Sequence, residues 1–107
     1  MDDLLARFLP QFVTLAKTRI TVAITGVGQR DAASVQKTVR ELHTLAGEAG
    51  LLGLSQVVPL ARDCEQKAKN LHSSPTSTDV DVLVAALHEL EQLIEGISQR
   101  MGGANTS

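Results

Sequence analysis

Leu42-His43-Thr44-Leu45-Ala46-Gly47-Glu48-Ala49-Gly50-Leu51-Leu52-Gly53 is the stretch on which the reading of this chain turns. Leu42, Ala46 and Ala49 continue an apolar stripe that begins at Val35 and Val39, in steps of three and four, so the segment scans as an amphipathic helix. Yet it carries glycine at 47 and 50, each costing about 1 kcal/mol relative to alanine inside a helix, and a third glycine at 53. At about 100° per residue, His43 falls roughly 80° from the centre of the stripe, in the same sector as Gln36, Gly47 and Gly50. The ring is expected to stand half out of the protein, and the glycines beside it imply that a partner surface must come close to the imidazole.

On the N-terminal side, Asp31 is placed to cap this helix, and Gly26-Val27-Gly28-Gln29-Arg30 is expected to close the one before it. That first helix runs from Asp2 to about Ile24 on a stripe of Leu5, Phe8, Leu9, Phe12, Leu15, Ala16, Ile20 and Ala23. Thr18 to Thr25 is rich in β-branched residues, but the stripe continues through it and keeps it helical. Pro10 removes a backbone donor and clashes with the preceding turn, which predicts either a short extra N-terminal helix before Pro10 or one kinked helix.

On the C-terminal side, Gly53 ends the helix and Ser55 is expected to cap a third, with Pro59 tolerated near its first turn. The third stripe is Val57, Leu60, Ala61, Cys64, Ala68 and Leu71; His72 to Ser77 reads as a loop. Thr78 and Asp81 resemble a capping pair at the start of a fourth helix, whose Val80, Leu83, Leu87, Leu90, Ile94 and Ile97 alternate steps of three and four like a bundle seam. After Met101 the Gly-Gly-Ala-Asn-Thr-Ser run predicts a flexible tail at 102–107.

Four helical segments with short connections imply an all-α, antiparallel up-down-up-down four-helix bundle over residues 1–101, as one domain without an internal repeat. Composition agrees: 43% of the 107 residues are apolar but only 2% aromatic, which suits close helix-on-helix packing. The net charge of −2, with both signs mixed along the chain, gives no footprint for nucleic acid or anionic lipid. One cysteine excludes an internal disulfide, and no basic segment followed by a long apolar run reads as a signal peptide or membrane span, so the cytoplasm is the expected address. Cys64 lies on a core stripe and is expected to be packed, while His72 and His88 read as surface or capping residues. No Cys-x-x-Cys or His-x-x-x-His spacing marks a metal site, and no glycine-rich phosphate loop marks a nucleotide site.

If the second and third helices turn about Gly53, His43 lies ten residues before the turn and Glu65 twelve after it. At roughly 1.5 Å per residue the two side chains are nearly level, and their rims have the same angular sign. A carboxylate beside the imidazole would accept the proton of one ring nitrogen and leave the other with its lone pair outward, the requirement of a nucleophilic histidine.

The stretch from His43 to Glu65 resembles a histidine-containing phosphotransfer (HPt) domain of two-component phosphorelays. That family's pattern is His-x-x-Lys-Gly, a further glycine six residues on, an aliphatic residue four beyond it, and a glutamate near the end of the next helix; His43, Gly47, Gly53, Val57 and Glu65 stand at those places. One position departs from it, since Ala46 stands where the family usually has lysine; Arg40 or Arg62, each one turn from a site residue, could supply the charge. The resemblance implies that His43 accepts a phosphoryl group from a receiver-domain aspartate and passes it to another, with Glu65 orienting the ring. It also implies that Gln36, Arg40, Gly47, Gly50 and Arg62 form the docking face, that Mg²⁺ comes from the receiver rather than from a cofactor of its own, and that the chain is a monomeric carrier rather than an enzyme. The alternative is a helical module that docks on receivers without being phosphorylated.

Overall fold

The computed structural model describes residues 2–29, 31–71 and 77–106, with side chains at 7–29, 31–71 and 77–100. Four helices account for nearly all of them: α1 (Asp2–Gln29), α2 (Ala32–Leu51), α3 (Val57–Lys69) and α4 (Ser77–Thr106). Each packs on its neighbours around a ring, α1 on α2, α2 on α3, α3 on α4 and α4 back on α1, which makes an all-α four-helix bundle. A single apolar core runs through it, contributed by all four helices.

The fourth helix follows its stripe residue for residue: Val80, Leu83, Leu87, Leu90, Ile94 and Ile97 are all buried, with Ala86 beside them. Its backbone continues as helix to Thr106, through residues expected to form a tail. Gly102 and Gly103 weaken a helix without forbidding it, and no proline follows to stop it. At its other end the helix already includes Ser77, and Thr78 is its second residue rather than its cap. The rest of the loop expected from His72 to Ser77, residues 72–76 with His72, lies outside the described residues.

α1 differs from expectation at both ends of its stripe. Pro10 lies inside one continuous helix, so no separate N-terminal helix precedes it. Gly26 and Gly28 do not close the helix, which carries on to Gln29 and buries Val27. Gly26 has a different task, because a Cβ there would lie 3.0 Å from Thr38 Oγ1 and 3.3 Å from the Ser34 carbonyl oxygen. Its missing side chain lets α1 and α2 approach closely near their connection. Phe8 and Leu15, assigned to the core stripe, are exposed; with Gln11, Glu48, Leu51 and Leu52 they line a shallow groove where α2 ends and no longer covers α1.

α2 begins as the sequence implies: the Ser34 backbone N–H donates to Asp31 Oδ1 at 2.8 Å, and this bond holds the Asp31 carboxyl below its ordinary range. It ends in a Schellman turn. Leu54 N–H donates to the Ala49 carbonyl at 2.9 Å and Gly53 N–H to that of Gly50 at 3.1 Å, with Gly53 at φ +72°. Ser55 does not cap α3; the N-cap position is Gln56, with no side-chain bond. The first N–H groups of α3 instead find a backbone acceptor, since Val57 and Val58 both donate to the Leu54 carbonyl, at 3.0 and 3.3 Å. Arg19 fastens α1 to α2 by donating to Glu41 at 2.8 Å and to Glu48 at 3.3 Å, and the Glu41 bond raises its pKa further.

Candidate functional site

His43 is on α2 and Glu65 on α3, and the antiparallel hairpin about Gly53 brings them level, with His43 Nδ1 and Glu65 Oε2 3.1 Å apart. The two partners differ sharply in setting: the His43 side chain is 72% exposed and that of Glu65 only 8%. Glu65 is thus more deeply buried than a rim position implies, its carboxylate folded into the α2–α3 seam.

An ionised carboxylate only accepts hydrogen bonds, so the contact places the ring proton on Nδ1. Nε2 then keeps its lone pair, and it is the nitrogen directed away from the carboxylate. A second group meets the same acid: Lys69 Nζ lies 3.4 Å from Glu65 Oε2, one helical turn further along α3. Lys69 was not among the residues singled out in the sequence, although Glu65 and Lys69 stand at the i, i+4 spacing that pairs charges on a helix.

Gln36, Arg40, Gly47 and Gly50 are exposed on α2, and Arg62 is exposed on α3. None of these side chains reaches the His43–Glu65 contact with a hydrogen bond or ion pair among the described residues. A Cβ at Gly47 would meet nothing within 4 Å, and one at Gly50 would only touch Val58 Cγ2 at 4.0 Å. Packing therefore requires neither glycine. Gly28 and Gly96 are as open; Gly47 differs from them in lying one turn from His43.

Ala46 is 1% exposed and faces the core. Cys64, next to Glu65, is fully buried, and burial pushes its thiol up to about 12. His88 is exposed, with Nδ1 3.3 Å from Glu91 Oε1 on the same helix. Among the described residues no three of His, Cys, Asp and Glu gather as metal ligands, and no helix is long and apolar enough to cross a membrane.

The site is thus an exposed histidine on a four-helix bundle, held at one nitrogen by a buried carboxylate. A model of the Hpt domain matches residues 4–100, and the chain belongs to that family, whose members are phosphocarrier modules of two-component signalling. It is also similar to a gliding motility regulatory protein of Myxococcus xanthus, 39% identical over 75 residues. That match takes in 68% of this chain and 9% of the relative, so the chain spans under a tenth of the relative's length. No solved structure matches it.

Proposed function

We propose that His43 accepts a phosphoryl group at Nε2 from the phospho-aspartate of a receiver domain and passes it to the aspartate of another. The observation that supports this most is the 3.1 Å contact between Nδ1 and the Glu65 carboxylate at a ring that is otherwise exposed. In the forward step the Nε2 lone pair forms the N–P bond as the acyl-phosphate P–O bond breaks, and the aspartate carboxylate leaves with the electron pair. No proton has to be removed from the attacking nitrogen, because the ring proton is on Nδ1. The imidazolium that results is stabilised by Glu65, and the reverse sequence delivers the group to the next receiver.

Transfer of this kind depends on positioning and on neutralising the phosphoryl oxygens, and in this reading the receiver supplies Mg²⁺ for the second task. The bundle itself acts as a carrier, not as an enzyme, and as a monomer in the cytoplasm. Gly47 and Gly50 leave room for the receiver's acidic pocket, while Gln36, Arg40 and Arg62 surround it as docking residues. A second reading is favoured by Ala46: a site without the usual lysine could keep the docking surface and lose the chemistry, leaving a module that binds receivers unphosphorylated.

The two readings separate on incubation with a labelled phospho-receiver, or with a kinase, labelled ATP and Mg²⁺. The carrier reading requires an acid-labile, base-stable label that His43→Gln abolishes. Label that arrives only from the kinase keeps the carrier role and replaces the donor. Binding without label across the organism's receivers leaves the docking module.

A further inference from the structure

We propose that the protein docking on His43 is held at a second point, where Lys37 and Arg40, beside a polar groove between α1 and α2, receive an acidic patch of that partner. The assignment rests on the reading of His43 as a docking site and requires no phosphoryl transfer.

Charge pairing on α2 is uneven. Its two acids, Glu41 and Glu48, are both held by Arg19 of α1, at 2.8 and 3.3 Å. Its two cations, Lys37 and Arg40, are exposed, and neither makes a hydrogen bond or ion pair among the described residues. The outward face of α2 therefore carries positive charge that the described part of the bundle does not neutralise. At about 100° and 1.5 Å per residue, Arg40 falls about 60° round the helix from both Lys37 and His43, and Lys37 lies about 9 Å along the axis from His43. The three residues form one exposed strip that a single partner can cover.

Lys37 also has a shaped surrounding. With Thr21, Thr25, Gln29 and Ser34 it lines a groove of about 380 Å³ between α1 and α2, and it is the one charged residue on those walls. Asp31, close by in sequence, is occupied by Ser34, whose backbone N–H and hydroxyl both donate to it at 2.8 Å. A carboxylate entering the groove meets an ammonium and hydroxyl-bearing walls, with no acid lining its path.

α4 supplies the opposite sign. It lies diagonal to α2 in the ring of helices and carries five acids against one arginine. The chain's net charge of −2 hides this division. An acidic partner is repelled by α4 and drawn to α2, which turns it toward His43 before contact.

The test uses the whole chain and the organism's purified receiver domains, carrying forward each one that binds the wild type. Association and dissociation rates are measured at low and high salt for the wild type, Lys37→Gln, Lys37→Arg, the double variant Lys37→Gln with Arg40→Gln, and Arg100→Gln. The last removes the same charge from α4. Circular dichroism and urea unfolding check that all five fold alike. At low salt we expect Lys37→Gln to associate about threefold more slowly and the double variant about tenfold, with both differences shrinking at high salt. Lys37→Arg and Arg100→Gln should associate as the wild type does. Equal rates for Lys37→Gln and wild type overturn the second contact and leave docking on His43 standing. Equal slowing by Arg100→Gln also overturns it, because net charge rather than position then governs the encounter. If no receiver binds the wild type, the docking reading and this proposal fall together.

Discussion

His43 combines two properties that seldom occur together in one side chain: its ring is open to a partner, yet one of its nitrogens is fixed by a buried acid. Exposure alone would leave the ring free to rotate and to present either nitrogen. The Glu65 contact removes that freedom and keeps Nε2 outward. In the proposed relay Gly47 makes the companion contribution, by having no side chain in the path of a docking protein. Gly47→Leu is expected to leave the bundle folded and to stabilise it by up to about 1 kcal/mol through helix propensity, since a Cβ there meets nothing. Affinity for a cognate receiver should fall at least about tenfold through steric block. Titration of both forms measures this, and equal affinities would remove the access argument. Cys64 marks the opposite extreme. Its thiol is raised from 9.0 to about 12 by burial, so the native bundle keeps it protonated and the unfolded chain releases the proton earlier. Stability from this residue is full below pH 9 and is lost as pH rises toward 12. Alkaline denaturation of Cys64→Ala against wild type checks the sign: the wild type should lose stability faster across that window.

At the scale of the helices, glycine has three distinct uses, and two of them can be tested by adding one methyl group. Gly26→Ala places a Cβ against Thr38 Oγ1 and the Ser34 carbonyl, where Thr38 is itself buried and donates to Ser34 at 3.0 Å. Despite the gain in helix propensity we expect a net loss of about 1–2 kcal/mol. Gly53→Ala forces a side chain into the left-handed region and should cost about 1 kcal/mol in thermal or urea unfolding. A Gly26→Ala variant more stable than wild type would show that the helices do not approach as described. The same positions explain what could be read in advance. The seam of α4 was legible because Val80, Leu83, Leu87, Leu90, Ile94 and Ile97 recur at bundle spacing, and the stop at Gly53 because a glycine follows a helical run. The end of α1 was not, because Gly26 looks the same in sequence whether it terminates a helix or lets another cross it. Thr38 and Leu45 were missed as core residues because α2 is covered on two sides, by α1 and α3, which widens its buried arc beyond one stripe. Ser55 misled for a local reason: the Leu54 carbonyl satisfies the donors that a side-chain cap would otherwise serve.

Over the whole molecule, the long helices α1 and α4 set a rod 47 Å long and 25 by 18 Å across. Thirty residues of helix span about 45 Å, so α4 alone runs nearly the full length. The shorter α2–α3 hairpin lies on this frame and carries both His43 and Glu65. Their spacing about Gly53 was legible from residue counts, since two helices joined by a tight turn keep a common level. The depth of Glu65 and the reach of Lys69 were not, because both depend on how the side chains fold into the seam. What the bundle adds to the sequence motif is therefore orientation: it specifies which ring nitrogen is held and which is presented. The most direct measurement of that claim is heteronuclear NMR on nitrogen-15-labelled protein after phosphorylation by a receiver, which distinguishes the two phosphohistidine isomers through coupling of phosphorus to the ring. The account predicts phosphoryl on Nε2 of His43, with the Nδ1 proton retained toward Glu65. Phosphoryl on Nδ1, or on any residue other than His43, would contradict it.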